Sequence, residues 1–165
     1  MTKNGVKKVV DMKEKEIHLT NAEALEIVNT QALNRLSQCR DPKLPIKKVY
    51  WLSRYLAKLQ SLVQARETAR HQLLERYARK DVDGKFIIKD RQYNIPDEMK
   101  PEFHRELNDL DETKTGIGLA RITLTLETEV PAGLLSAADI LALDAVVVDF
   151  DMPPEPEKTK PADGK

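Results

Sequence analysis

Apolar residues recur along this chain in distinct rhythms. Leu25, Val28, Ala32 and Leu36 return at steps of three and four, which is one face of an amphipathic helix. Thr20 precedes the run and Glu23 stands three residues on, a capping box, so the pattern predicts one helix from about residue 20 to residue 38. Pro42 and Pro45 break it. Val49, Leu52, Leu56, Leu59 and Val63 then step 3-4-3-4, a coiled-coil-like seam. No glycine or proline occurs from Ile46 to Asp83. A second helix is therefore predicted from Pro45 to about Arg79, roughly 50 Å long at 1.5 Å per residue.

Halfway along, the seam changes. Arg66 and Arg70 take its heptad positions, and only Ala69, Leu73 and Tyr77 continue an apolar stripe. The first half is predicted to pack on the helix of residues 20–38. The second half, with Arg66, Arg70, Arg76 and Arg79, is expected to be less buried. The plainest reading of these arginines, interleaved with Glu67 and Glu75, is a solvated face; a phosphate-contacting stripe is another. The stripe left uncovered makes Arg66, Arg70, Leu73 and Tyr77 the expected partner-binding residues, because protein interfaces favour arginine and tyrosine.

Period two appears in "LARITLTLETEV", where Ile122, Leu124 and Leu126 alternate with Thr123, Thr125 and Glu127. That is a strand with one wet face, and "FIIKD" and "KEIHLT" are its candidate partners. Pro96-Asp97-Glu98 opens a helix with Phe103, Leu107 and Leu110 on one face, ended by "TKTGIG". Ser136 with Asp139 caps a closing helix carrying Ile140, Leu143 and Val147. The sum is an α+β fold: a helical hairpin with one long helix, a small mostly antiparallel sheet and two short helices. Residues 16–150 form one domain. Residues 1–15, with five lysines, are expected to be a mobile arm, and 151–165, with four prolines, a disordered tail.

Composition narrows the class. The chain has 165 residues, with 27 basic residues against 27 acidic ones. Zero net charge disfavours a dedicated nucleic-acid coat, which is normally basic. No stretch approaches the roughly 20 apolar residues of a membrane span, and residues 1–16 hold no signal-peptide core. A soluble protein is expected. The single cysteine, Cys39, forms no internal disulfide.

Chemistry is sparse. "RYARKDVDGKF" carries Asp81, Asp83 and Gly84, yet an EF-hand starting at Asp81 would put Lys85, Phe86 and Gln92 where oxygen, glycine and glutamate are required. The stretch reads as a turn. His18, His71 and His104 share no ligand spacing, and Cys39 lacks an adjacent base. No catalytic, cofactor or metal residues are assigned, and no enzyme activity is expected.

Four stretches occur in order: "IHLTNAEALEIVN", "LPIKKVYWLSRYLAKLQ", "LLERYARKDVDGKF" and "LSAADILALDAVV". Over roughly residues 16–148 this arrangement resembles a family of small uncharacterised proteins of tailed bacteriophages. The chain departs from it at both ends and at Ile140, where the family pattern has leucine. The resemblance implies a phage origin, with residence in the virion or the host cytoplasm. It implies a non-enzymatic protein acting through protein–protein interaction in the virion or its assembly. The alternatives are a host-takeover factor that inhibits a host machine such as RNA polymerase, and a nucleic-acid-binding protein. The expected partner is a protein, either a second copy or another phage or host chain.

Overall fold

The computed structural model describes residues 16–144 and 146–151. The expected arm, and all of the expected tail except Asp151, lie outside the described residues. Strand β1 (Glu16–Thr20) runs directly into helix α1 (Asn21–Asn29). The capping box forms: Thr20 Oγ1 accepts from the Glu23 amide at 3.1 Å and Glu23 Oε2 accepts from the Thr20 amide at 2.7 Å. The predicted single helix of residues 20–38 is broken, and α2 (Ala32–Ser37) is separate. Thr30 is the cause. Its hydroxyl donates back to the Ile27 carbonyl at 2.7 Å and accepts from the Ala32 amide at 3.2 Å, a local competitor to the helical ladder. Gln31 then takes a left-handed conformation. The resulting bend brings Ala32, Leu33 and Leu36 together into the core.

Helix α3 (Ile46–Tyr77) is continuous over 32 residues, about 48 Å. Its first half carries the predicted seam. Val49, Leu52 and Leu59 are buried, and Leu56 and Val63 pack against the same core. Tyr55, which the apolar seam omits, is buried beside them, and its hydroxyl donates to the Ala120 carbonyl.

After α3 the chain turns at Asp81-Gly84. Asp81 Oδ1 accepts from the amides of Asp83 and Lys85, both at 2.9 Å, and Gly84 has φ +77°. This is the expected corner, and its aspartate is spent on backbone amides. Strands β2 (Ile88–Lys89) and β3 (Gln92–Tyr93) form an antiparallel hairpin. A 3-10 turn then leads into α4 (Lys100–Glu112). Leu73 and Leu74 of α3 meet Ile95 and Phe103 there in a second, smaller core.

"KTGIGLA" is strand β4 (Lys114–Ala120), antiparallel to β1, where the glycines had marked only the end of a helix. At Gly116 a Cβ would lie 2.6 Å from Glu16 Oε1, so that carboxylate, which accepts from the Gly118 amide, would have to shift. Arg121 divides the predicted long strand. Leu119 and Ala120 stay with β4, while β5 (Ile122–Thr125) pairs in parallel with β6 (Val148–Asp151). The parallel pairing needs a crossover, which contains α5 (Ala137–Leu143), capped by Ser136 and Asp139. "FIIKD" closes its own hairpin instead of joining β5. The fold is α+β with one long helix, its strands spread over three two-stranded ladders, two antiparallel and one parallel.

Candidate interaction surface

The structure does not leave open the stripe that periodicity singled out on the second half of α3. Arg66 is 9% exposed. Its Nε donates to Asp111 Oδ1 at 2.8 Å and Nη2 to Oδ2 at 3.2 Å, while Nη1 pairs with Glu67. The Asp111 hydrogen bond outweighs burial and raises the guanidinium's pKa. Leu73 is buried in the second core. The Tyr77 hydroxyl donates to Glu106 at 2.7 Å, a bond that raises its pKa, and its ring meets Phe103 edge-on at 5.9 Å. Arg70 is half-buried, 3.5 Å from Glu67, with its guanidinium 5.8 Å from the Tyr93 ring centroid. The expectation of an uncovered stripe is therefore corrected. Arg66, Arg70, Leu73 and Tyr77 are brought together, but α4 and the hairpin of the same chain cover them. A helix pattern shows which face is apolar and not which later segment folds onto it.

The other candidate groups stay apart. His18 lies exposed on β1, with Nδ1 3.1 Å from the Glu16 carbonyl. His71 sits 3.5 Å from Glu75, and His104 is exposed on α4. Cys39 packs half-buried against the main core. Among the described residues no group of three or more His, Cys, Asp or Glu is arranged to hold a metal ion. Nor is any helix there long and apolar enough to cross a membrane. A shallow groove of about 520 Å³ between α1 and the end of α4 is lined by Leu25, Glu26 and Asp111 among others, but its Asp111 is already held by Arg66.

The exposed surface with the strongest recognition chemistry is on the first half of α3. Ile46 is 81% and Tyr50 58% exposed. One turn apart, they share a strip with Arg54 and Lys58 at i, i+4 spacing, flanked by Lys47 and Trp51. Trp51 is half-buried against the core, with the Tyr50 ring edge-on at 5.7 Å and the Arg54 guanidinium 5.0 Å from its centroid. From Pro42 to Arg66 the chain holds Lys43, Lys47, Lys48, Arg54, Lys58 and Arg66 and no acidic residue. Lys48 is committed inward, donating to Glu129 at 2.5 Å and to the Thr123 carbonyl at 2.9 Å. Burial works against the Glu129 charge, but the Lys48 bond and the Thr125 amide prevail and hold its pKa below the usual range. Among the described residues, Lys47, Arg54 and Lys58 have no ion-pair partner.

Reading the seam for its buried side passed over this face. The signal that finds it is the run of residues without a carboxylate. An aromatic pair, an exposed isoleucine and cations that have no ion-pair partner among the described residues can bind an acidic, partly apolar surface. Compared with family models, with curated proteins and with solved structures, the chain finds no match in any of the three.

Proposed function

We propose that the protein is a non-enzymatic interaction module of a tailed phage, acting in the virion or its assembly by docking an acidic protein surface on the first half of α3. The phage assignment rests on the sequence resemblance over residues 16–148. The observation that carries the docking is the face itself, where Ile46, Tyr50 and Trp51 form an apolar centre and Lys47, Arg54 and Lys58 a cationic rim. Trp, Tyr and Arg are the residue types that dominate interface energetics. The charge pattern selects carboxylates on the partner. A nucleic-acid surface fits less well, since a base would stack on an open aromatic face and the Trp51 ring is occupied by its own core on one side and by Arg54 on another.

The test is a photo-crosslinking residue placed at position 50 in infected cells, with a control at the exposed position 104, combined with mass spectrometry of purified virions. A phage structural or assembly protein should crosslink from position 50. Its yield should fall about 30-fold with Arg54→Glu, the effect of losing one strong interface residue. Crosslinking from position 50 no greater than from position 104 would refute the docking surface. A host enzyme as the captured chain would turn the reading to host takeover. DNA binding that weakens steeply with salt and is lost in Arg54→Glu would turn it to nucleic acid.

A further inference from the structure

The docking face asks for a surface that is acidic, partly apolar and hollow enough to seat Ile46 and Tyr50. The chain carries one itself. The groove between α1 and the end of α4 is lined by Ala22 and Leu25 on its apolar part and by Glu26, Asn29 and Asp111 on its polar part. Two hydrogen bonds hold its walls together: the Asn21 amide donates to the Thr113 carbonyl at 3.1 Å, and Asn21 Nδ2 to the Leu110 carbonyl at 2.8 Å. No lysine or arginine occurs from Glu16 to Asn34 or from Glu106 to Thr113. Arg66 takes up the Asp111 charge, but Glu26 and the exposed Glu112 have no ion-pair partner among the described residues. Lys114, the cation that follows, stands opposite Thr20 at the N-terminal end of α1, about 9 Å along that helix from Glu26. The last turns of α1 and α4 hold no basic residue, although the negative pole of a helix favours a cation there.

The two surfaces of one copy cannot meet. Arg66, which holds Asp111 at the groove, stands 16 positions after Tyr50. That is about 24 Å along α3 and, at about 100° per residue, about 160° round it. Face and groove therefore look nearly opposite ways from one continuous helix. A reciprocal pair, each copy giving its face to the other's groove, would require one chain to reach both sides of its neighbour. We propose that the occupant of the Ile46–Lys58 face is the groove of a second copy, so that copies add head to tail. Ile46 and Tyr50 then meet Ala22 and Leu25, and Arg54 and Lys58 meet Glu26 and Glu112. Heterologous contacts of this kind build a ring where the rotation closes and a filament where it does not. This rests on the reading of that face as a docking surface and names its partner. A face confined to one stretch of helix is smaller than the roughly 800 Å² per partner of a standard interface, so a single junction is weak and assembly grows with concentration.

Sedimentation equilibrium of the full chain from about 10 µM to about 1 mM covers the range of so small a junction. The weight-average mass should rise above the 18.8 kDa of one chain and pass that of a dimer. Tyr50→Ala/Arg54→Ala disables the face and Glu26→Lys/Glu112→Lys the groove. All four positions are exposed, so both variants should keep the circular dichroism of the unaltered chain. Each should weaken association about 100-fold. Mixed in equal amounts, they retain one working junction, the face of the groove variant on the groove of the face variant, and should stop at a dimer. Three results would overturn the proposal: an unaltered chain that stays monomeric throughout, a mixture that stays monomeric, or either variant assembling as the unaltered chain does. The crosslink from position 50 is read separately, and in the purified chain it should reach α1 or α4 of a second copy. If purified chains stay monomeric while position 50 captures another phage protein in infected cells, self-docking fails and the docking face stands. If chains assemble but Tyr50→Ala/Arg54→Ala changes nothing, and position 50 crosslinks no more than position 104, both fail.

Discussion

Arg66 sits where α3 passes from one core to the other, and its pairing with Asp111 supports an asymmetric prediction. The Arg66 side chain is 10% exposed, Asp111 28% and Glu67 42%. Removing Asp111 leaves a covered guanidinium with only the more exposed Glu67. Removing Arg66 leaves a carboxylate that already touches water and can recover its hydration. Breaking a fully buried pair from one side costs about 3–5 kcal/mol, whereas an exposed pair contributes about 0–1 kcal/mol. Asp111→Ala is therefore expected to cost about 2–3 kcal/mol, between those limits and nearer the first. Arg66→Met keeps the apolar stem in place and should cost about 1–2 kcal/mol. The double variant should cost less than the sum, with a coupling of about 1–2 kcal/mol. Urea unfolding followed by far-ultraviolet circular dichroism measures all three. With a slope of about 2 kcal/mol/M, the Asp111→Ala midpoint moves by about 1 M. A shift in that variant smaller than in Arg66→Met, or a coupling near zero, would refute the burial argument and return Arg66 to the solvated face its charge suggests.

Leu59 is fully buried in the first seam, so Leu59→Ala should destabilise the fold by about 2–5 kcal/mol, read as a urea midpoint. Asp139 has its pKa lowered by the Ser136 amide first, then, against its burial, by the Ser136 hydroxyl and Arg35. Its contribution is complete above the ordinary carboxylate pKa of about 4 and is lost as the pH falls through the lower folded value. The stability gap between the unaltered chain and Asp139→Asn should thus shrink between pH 6 and pH 2. The Asp81–Gly84 turn should not bind calcium: added calcium at about 100 times a site's dissociation constant would raise stability by about 2.7 kcal/mol, and no such shift in thermal unfolding is expected.

Short-range grammar was legible in the chain. Thr20 with Glu23 and Ser136 with Asp139 announce their helices, Asp83-Gly84 announces its corner, and the seam from Val49 to Val63 announces the long helix and its packed side. What escaped depends on distant residues. Arg66 reads as solvent-exposed because it is charged, and Asp111, which explains its burial, lies 45 positions away. The glycines of β4 read as a terminator because nothing local shows that Glu16 and His18 will crowd Gly116. β6 was hidden because "VVVDFD" follows a helix and its partner, β5, lies across a crossover. Arg66 and Leu73 went inside, and Arg70 and Tyr77 became half-buried, for the same reason: the pattern gives the apolar face of α3 but not the approach of α4. The face that stayed outside carries no periodic apolar signal, only an absence of carboxylates.

One rod threading two unequal clusters has a consequence for amide exchange. All of α3 is a single hydrogen-bonded helix, yet its halves are guarded by different packing, since the distal cluster holds far fewer buried side chains than the main one. Local opening needs only the contacts of the segment concerned to be lost. Amides from Val49 to Val63 should therefore exchange only when the whole chain unfolds. Those from Arg70 to Tyr77 should escape through a sub-global opening in which α4 and the hairpin lift away. Protection along one unbroken helix should step down near Arg66, and a chain bound to the first half would leave the exchange of the second half almost unaltered.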